Sequence, residues 1–260
     1  MKKTAIRLLL PLVLLALFSG CGANMAPAPD DGLSDAVEAK PDERQTESIP
    51  EQEDAAPAGA SVRVRVTIAD AGTLVAAAEE IDAADADSDG VVSISDALLC
   101  AHDSLYDGGA EAGYAAEETE YGLSMTKLWG AENGGSYGYY VNNASAWSLN
   151  DPVGEGDYVY AFSYADLEGW SDVYTYFDTL TADGSEAELT LYCLGFDENW
   201  EPVAEPLEGA VVTVDGNALR TTTDADGKAS VSLSEPGRHV ISAAAADGVI
   251  VPPVCIITVK

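Results

Sequence analysis

Hydrophobic and polar positions change character three times along this 260-residue chain. An unbroken apolar run from Leu8 to Phe18 follows Lys2, Lys3 and Arg7, and it is shorter than the roughly 20 apolar residues a membrane-spanning helix needs. From Gly22 to Gly59 large apolar residues almost vanish among Ala, Pro, Asp, Glu, Ser and Gln, so nothing there offsets the entropy of ordering; the pattern predicts a self-repelling tether. At Val62 strict alternation begins. Val62, Val64, Val66 and Ile68 interleave with Arg63, Arg65 and Thr67, which predicts the first strand of a folded unit.

Ala71 to Ile81 is Ala-rich and fits either a short helix or an irregular stretch; its pattern does not decide. Ile94, Ala97, Leu98, Ala101 and Leu105 recur at helical spacing, with Ser95 placed to cap the start. Beyond Gly113, segments bounded by Gly, Asn and Pro predict strands at Met125 to Trp129, Tyr137 to Val141, Tyr158 to Tyr164 and Val173 to Phe177. A second unit begins near Ala187. Its strands fall at Ala210 to Val214, Ala229 to Leu233, His239 to Ala243 and Cys255 to Val259, joined by Asp-Gly and Pro-Gly turns, with Asp224 to Gly227 read as a hairpin turn. The fold class expected is mainly β: a small α+β central domain over 61–183, then an Ig-like β-sandwich over 184–260.

Composition narrows the partners. Removal of residues 1–20 takes away three cations and no acids, leaving nine Lys and Arg against 45 Asp and Glu, a formal charge of −36. Such a chain repels nucleic acid and anionic lipid, and it attracts divalent cations and basic partners. All twelve Tyr lie between Tyr106 and Tyr192, so the aromatic surface belongs mainly to the central domain.

Two clusters carry candidate chemistry. Asp85, Asp87, Asp89, Ser93 and Asp96 stand at positions one, three, five, nine and twelve of a loop with Gly90 at the sharp turn. That is the spacing of an EF-hand calcium loop, in which the Val91 carbonyl adds a ligand. A solvated acidic turn capping a helix is the alternative, and bound calcium would serve stability rather than catalysis. Gly134, Ser136 and Gly138 match a nucleophile-elbow spacing, but a strand pattern follows where a helix is required, and His102 and His239 are the only histidines. The chain is therefore not read as an enzyme.

Cys193 shares a strand face with Leu189 and Leu191, and Cys255 shares one with Ile257 and Val259, so both thiols are expected in the sandwich core. Either a disulfide joins them or both stay free. Cys100, on the helix, is expected to be a buried thiol.

Leu17 to Cys21 resembles the bacterial lipobox, in which the Cys thiol takes a diacylglyceryl group and becomes the new N-terminus. This implies a signal peptide over 1–20, lipidation at Cys21, a tether over 21–60 and an extracytoplasmic chain anchored to the cell membrane. The calcium-type loop with its following helix resembles half of a dockerin repeat. Leu128-Trp129-Gly130, Gly134 to Asn143 and Gly154 to Phe162 together resemble a bacterial domain similar to the C-terminal β domain of transcobalamin and intrinsic factor, over roughly Val62 to Ala182. The last unit resembles prealbumin-like or carboxypeptidase-regulatory-like modules through Gly209 to Gly216, Thr223 to Gly227 and Pro236 to His239, modules that serve mostly as spacers or adhesion units.

These likenesses imply a non-catalytic, lipid-anchored surface protein that captures a small ligand such as cobalamin or another corrinoid. Trp129, Tyr137, Tyr139, Tyr140, Asn142 and Trp147 are the expected contacts, because aromatic faces and amide edges suit flat ligands. In a strand with alternating faces, Tyr139 and Tyr140 cannot line the same site. The competing expectation is surface display, adhesion or dockerin-like protein binding without small-molecule affinity.

Overall fold

A computed structural model describes residues 59–260 other than Tyr121, Trp200 and 246–248. The expected signal peptide, the expected lipidation site Cys21 and the expected tether up to residue 58 lie outside the described residues. Strand outweighs helix, 53% to 9%, which makes the fold mainly β with a small helical part.

The first half is built on β1 (Ser61–Asp70), β2 (Thr73–Ala84), α1 (Ile94–Leu105), α2 (Gly109–Gly113), β3 (Ala115–Thr119), β4 (Gly122–Lys127), β5 (Tyr137–Val141), β6 (Ala144–Ser145) and β7 (Tyr158–Ser163). One sheet runs in the order β2-β1-β7-β5-β6, with β7 parallel to β1 and antiparallel to β5. β3 and β4 form a separate hairpin. The alternation seen from Val62 sets the inner face, since Val64, Val66 and Ile68 join Val159 and Ala161 against Ile94, Ala97, Leu98 and Ala101 of α1.

The Ala-rich stretch left open by its pattern is the strand β2. Its alternation is broken by a bulge opposite Val66 to Ile68, where Ala78 takes φ 48°. The Thr67 hydroxyl oxygen accepts from the Ala78 N–H at 2.8 Å and from the Tyr158 hydroxyl at 2.9 Å, so the bulge leaves its amide satisfied.

The second half comprises β8 (Val173–Phe177), β9 (Thr181–Asp183), β10 (Glu186–Phe196), β11 (Pro202–Pro206), β12 (Val211–Val214), β13 (Asn217–Thr222), β14 (Lys228–Ser232), β15 (Gly237–Ala244), β16 (Ile250–Val251) and β17 (Cys255–Val259). One sheet has the order β11-β10-β8-β16, with β14 also paired to β10, and the other the order β13-β12-β15-β17-β9. Phe177, Leu189, Leu191 and Val231 meet Val212, Ile241, Cys255 and Ile257 between them. β8 and β9 thus pair only with later strands, and the sheets divide between Ser163 and Val173. Asp224 to Gly227 links β13 to β14, which lie in different sheets, so it is a crossing turn rather than the expected hairpin.

A third core joins the halves. β7 is buried along its whole length: Val159 and Ala161 face α1, while Tyr158, Tyr160 and Phe162 face the other way, onto Tyr174, Val251, Val254 and Ile256. The Tyr160 hydroxyl donates to the Pro252 carbonyl at 2.6 Å, and the Tyr174 hydroxyl to the Asn143 side-chain oxygen at 2.9 Å. Period-two alternation on one strand therefore supplies two different cores.

Candidate functional site

The acidic loop places three carboxylates together. One oxygen from each of Asp85, Asp87 and Asp89 lies within 4.8 Å of the others, a separation that ligands held about 2.3–2.6 Å from one calcium ion can adopt. Backbone geometry produces this convergence: Ser88 and Gly90 take φ 64° and 92°, and the Gly90 N–H donates to Asp85 Oδ2 at 2.9 Å. The Asp87 pKa accordingly lies above its ordinary value. A hydrogen bond from the Asp89 N–H favours its charged form, but lost hydration, the neighbouring charges of Asp89 and Asp96 and a side-chain hydrogen bond with Asp85 outweigh it.

The remaining expected ligands are engaged differently. Ser93, not Ser95, is the helix N-cap: its hydroxyl oxygen accepts from the Asp96 N–H, and Asp96 Oδ2 accepts from the Ser93 N–H at 2.9 Å and the Ser93 hydroxyl at 2.7 Å. Asp96 Oδ1 also accepts from the Ala86 N–H at 3.1 Å. Asp96 thereby ties the acidic loop to the helix start, while Ser95 hydrogen-bonds the Tyr114 hydroxyl and Val91 is exposed. The capping interaction alone stabilises a helix by about 1 kcal/mol.

The aromatic hairpin is packed. Tyr139 lies against the α1 core, and burial raises its pKa. Tyr140, on the opposite face, stacks on Tyr174 with centroids 3.7 Å apart and planes within 6°, and burial pushes its hydroxyl up to about 12. The Tyr137 hydroxyl lies 2.8 Å from the Ala131 carbonyl and accepts from the Asn133 N–H. Asn142 holds the turn at φ 51°, its amide donating to Asp157 at 2.8 Å and accepting from the Tyr158 N–H at 2.9 Å.

Trp129 ends its segment at φ 50°, with its ring edge-on to Tyr106. Its backbone N–H donates to His102 Nε2, while His102 Nδ1 meets the Leu98 carbonyl at 2.6 Å; burial lowers the His102 pKa, so the imidazole is a neutral bridge from α1 to this loop. Of the six expected contacts Trp147 stands clear, 94% exposed, and Asn142 is exposed beside its turn bonds. The Ser136 hydroxyl of the elbow-like spacing accepts from the Trp170 indole.

Cys193 and Cys255 are separate free thiols. Their strands, β10 and β17, lie in different sheets and are not neighbours, so the disulfide alternative is set aside. Cys255 is fully buried, as expected, and burial raises its pKa to about 12. Cys193 is only half-buried, because the inward face of β10 ends at Leu191 and its thiol turns to the Glu205 carbonyl. Cys100 is also half-buried and free.

Sequence patterns gave no sign of a groove of about 600 Å³ along the join, between β2 and the β12–β15 pair. Leu74, Ala77, Val240 and Pro252 line its apolar part. Arg238 crosses its end, donating to the Ala77 carbonyl and pairing with Glu79 at 3.0 Å. No helix among the described residues is long and apolar enough to cross a membrane. Comparison of the chain with protein-family models, with curated proteins and with solved structures finds no match.

Proposed function

We propose that this chain is a non-catalytic, lipid-anchored display protein: Cys21 holds it at the outer side of the membrane, the acidic tether carries it away from the surface, and a rigid β body makes contacts with macromolecules. The observation that carries this reading is the fate of the hairpin rings. Tyr139 belongs to the α1 core and Tyr140 to the stack on Tyr174, so the side chains a flat ligand would need are engaged within the protein. What remains outside is Trp147, with Asn142, on a strongly acidic chain, which suits a protein partner better than an enclosed small molecule.

Calcium fits as a stabiliser. Three crowded carboxylates sit immediately before the cap of α1, and neutralising their repulsion would tighten the loop that Asp96 ties to the helix. Titration of the mature chain with hydroxocobalamin, beside melting curves of Tyr139→Ala and Tyr140→Ala, separates display from flat-ligand capture. Display expects no corrinoid binding and two destabilised variants; binding weakened by either substitution in a fully stable protein would overturn it.

A further inference from the structure

The two described histidines use their rings in opposite ways. His102 offers one nitrogen to an acceptor and the other to a donor, the arrangement a neutral imidazole satisfies. His239 faces acceptors on both sides: Nδ1 lies 2.8 Å from Asp215 Oδ2, and Nε2 lies 2.8 Å from the Glu235 carbonyl. A neutral ring carries one N–H and would set a lone pair against the other acceptor. Only the imidazolium donates to both. The side chain is 12% exposed, so water has little room to substitute.

That proton ties three segments. Asp215 closes the turn between β12 and β13, and its second carboxylate oxygen accepts from the Val240 N–H at 2.8 Å. Glu235 lies in the loop before β15. On β17 the residue paired with His239 is Ile257, flanked by Ile256 and Thr258, so the charges facing the ring are Asp215 and the nearby Glu235, with Arg238 beside it in sequence. Arg238 is the residue that crosses to Ala77 and Glu79 on β2.

We propose that His239 is a proton-operated clamp: as an imidazolium it fixes the Glu235 to Val240 segment and with it the Arg238 bridge between the halves, and on losing its proton it loosens both. The electrostatics run the same way. The hydrogen bond to Asp215 raises the His239 pKa above its ordinary 6.5. Burial pushes Asp215 up, but the imidazole hydrogen bond and the Val240 N–H outweigh it and hold Asp215 below its ordinary 3.8. The His239 contribution is therefore complete below pH 6.5 and is lost as pH climbs through the raised value. The Asp215 contribution is present above pH 3.8 and fades as pH falls through its lowered value. Between these limits the clamp is closed.

Nuclear magnetic resonance titration of the histidine ring carbons in the mature chain tests this, with His239→Gln assigning the signals. The expected His239 midpoint lies above 6.5 and returns toward 6.5 in Asp215→Asn. Amide exchange at 73–79 and 235–240, corrected for its intrinsic pH dependence, should rise several-fold across that midpoint in the wild type and stay flat in His239→Gln. A wild-type midpoint at or below 6.5, or exchange protection unchanged across the titration, overturns the clamp. Should His239→Gln fail to fold, the wild-type titration, its exchange and the Asp215→Asn shift decide alone.

Discussion

Gly138→Ala separates a packed hairpin from an open one by the sign of its effect. Gly138 sits mid-strand in β5 without a positive φ, so conformational freedom does not explain it. Phe162 is its register partner on β7, and the Phe162 ring lies over the glycine: an added Cβ would fall 2.5 Å from Cε1 and closer still to Cζ. Phe162 is 2% exposed and packed within the aromatic join, so moving its ring means disturbing that core. Overpacking of this kind costs about 1–3 kcal/mol. In a body of this size each kcal/mol moves the melting temperature by about 2–4 °C, so the drop should be roughly 2–12 °C. Strand propensity alone predicts the reverse, a gain of about 0.5–1 kcal/mol from replacing glycine. Calorimetry of Gly138→Ala, Phe162→Leu and the double variant gives the coupling, expected at about 1–3 kcal/mol with the alanine nearly neutral once the ring is reduced. A neutral or stabilising Gly138→Ala in the wild-type background would refute the packing argument.

Calcium near 1 mM, with a dissociation constant of about 10 μM, should stabilise the mature chain by about 2.7 kcal/mol, a shift that chelator reverses and that Asp85→Ala with Asp89→Ala abolishes. An unchanged melting temperature would leave a solvated acidic turn. Metabolic labelling with a palmitate analogue should mark the wild type and not Cys21→Ser; equal labelling of both would remove the anchor from the account.

Much of the fold was legible because burial follows simple periods. The alternation at Val62 to Ile68 and the helical spacing from Ile94 to Ala101 both face one core. β2 escaped because a bulge at Ala78 breaks its period, and alanine alone carries too weak a pattern to show where the face changes. The cap is Ser93 and not Ser95 because Asp96 at the third helical position exchanges hydrogen bonds with Ser93, and the helix begins at Ile94. β8 looked like the end of the central unit. Its partners come from residues more than ten and more than seventy positions later, and no local signal encodes such pairing. The same limit hid the packing of the hairpin: nothing local in the sequence announces that Tyr140 stacks on Tyr174, which the topology places 3.7 Å away. His239 read only as the start of a strand and Arg238 as part of the turn before it, since their partners Asp215 and Glu79 are fixed by strand order rather than spacing.

The central claim is that the hairpin rings pack into the α1 core and the join instead of forming a binding surface. Titration calorimetry of the mature chain with hydroxocobalamin to about 1 mM, a concentration that detects binding as weak as roughly 4 kcal/mol, tests it most directly. The account predicts no saturable heat, together with lowered melting temperatures for Tyr139→Ala and Tyr140→Ala. Saturable binding that either substitution weakens by about five- to a hundred-fold, at an unchanged melting temperature, would contradict it.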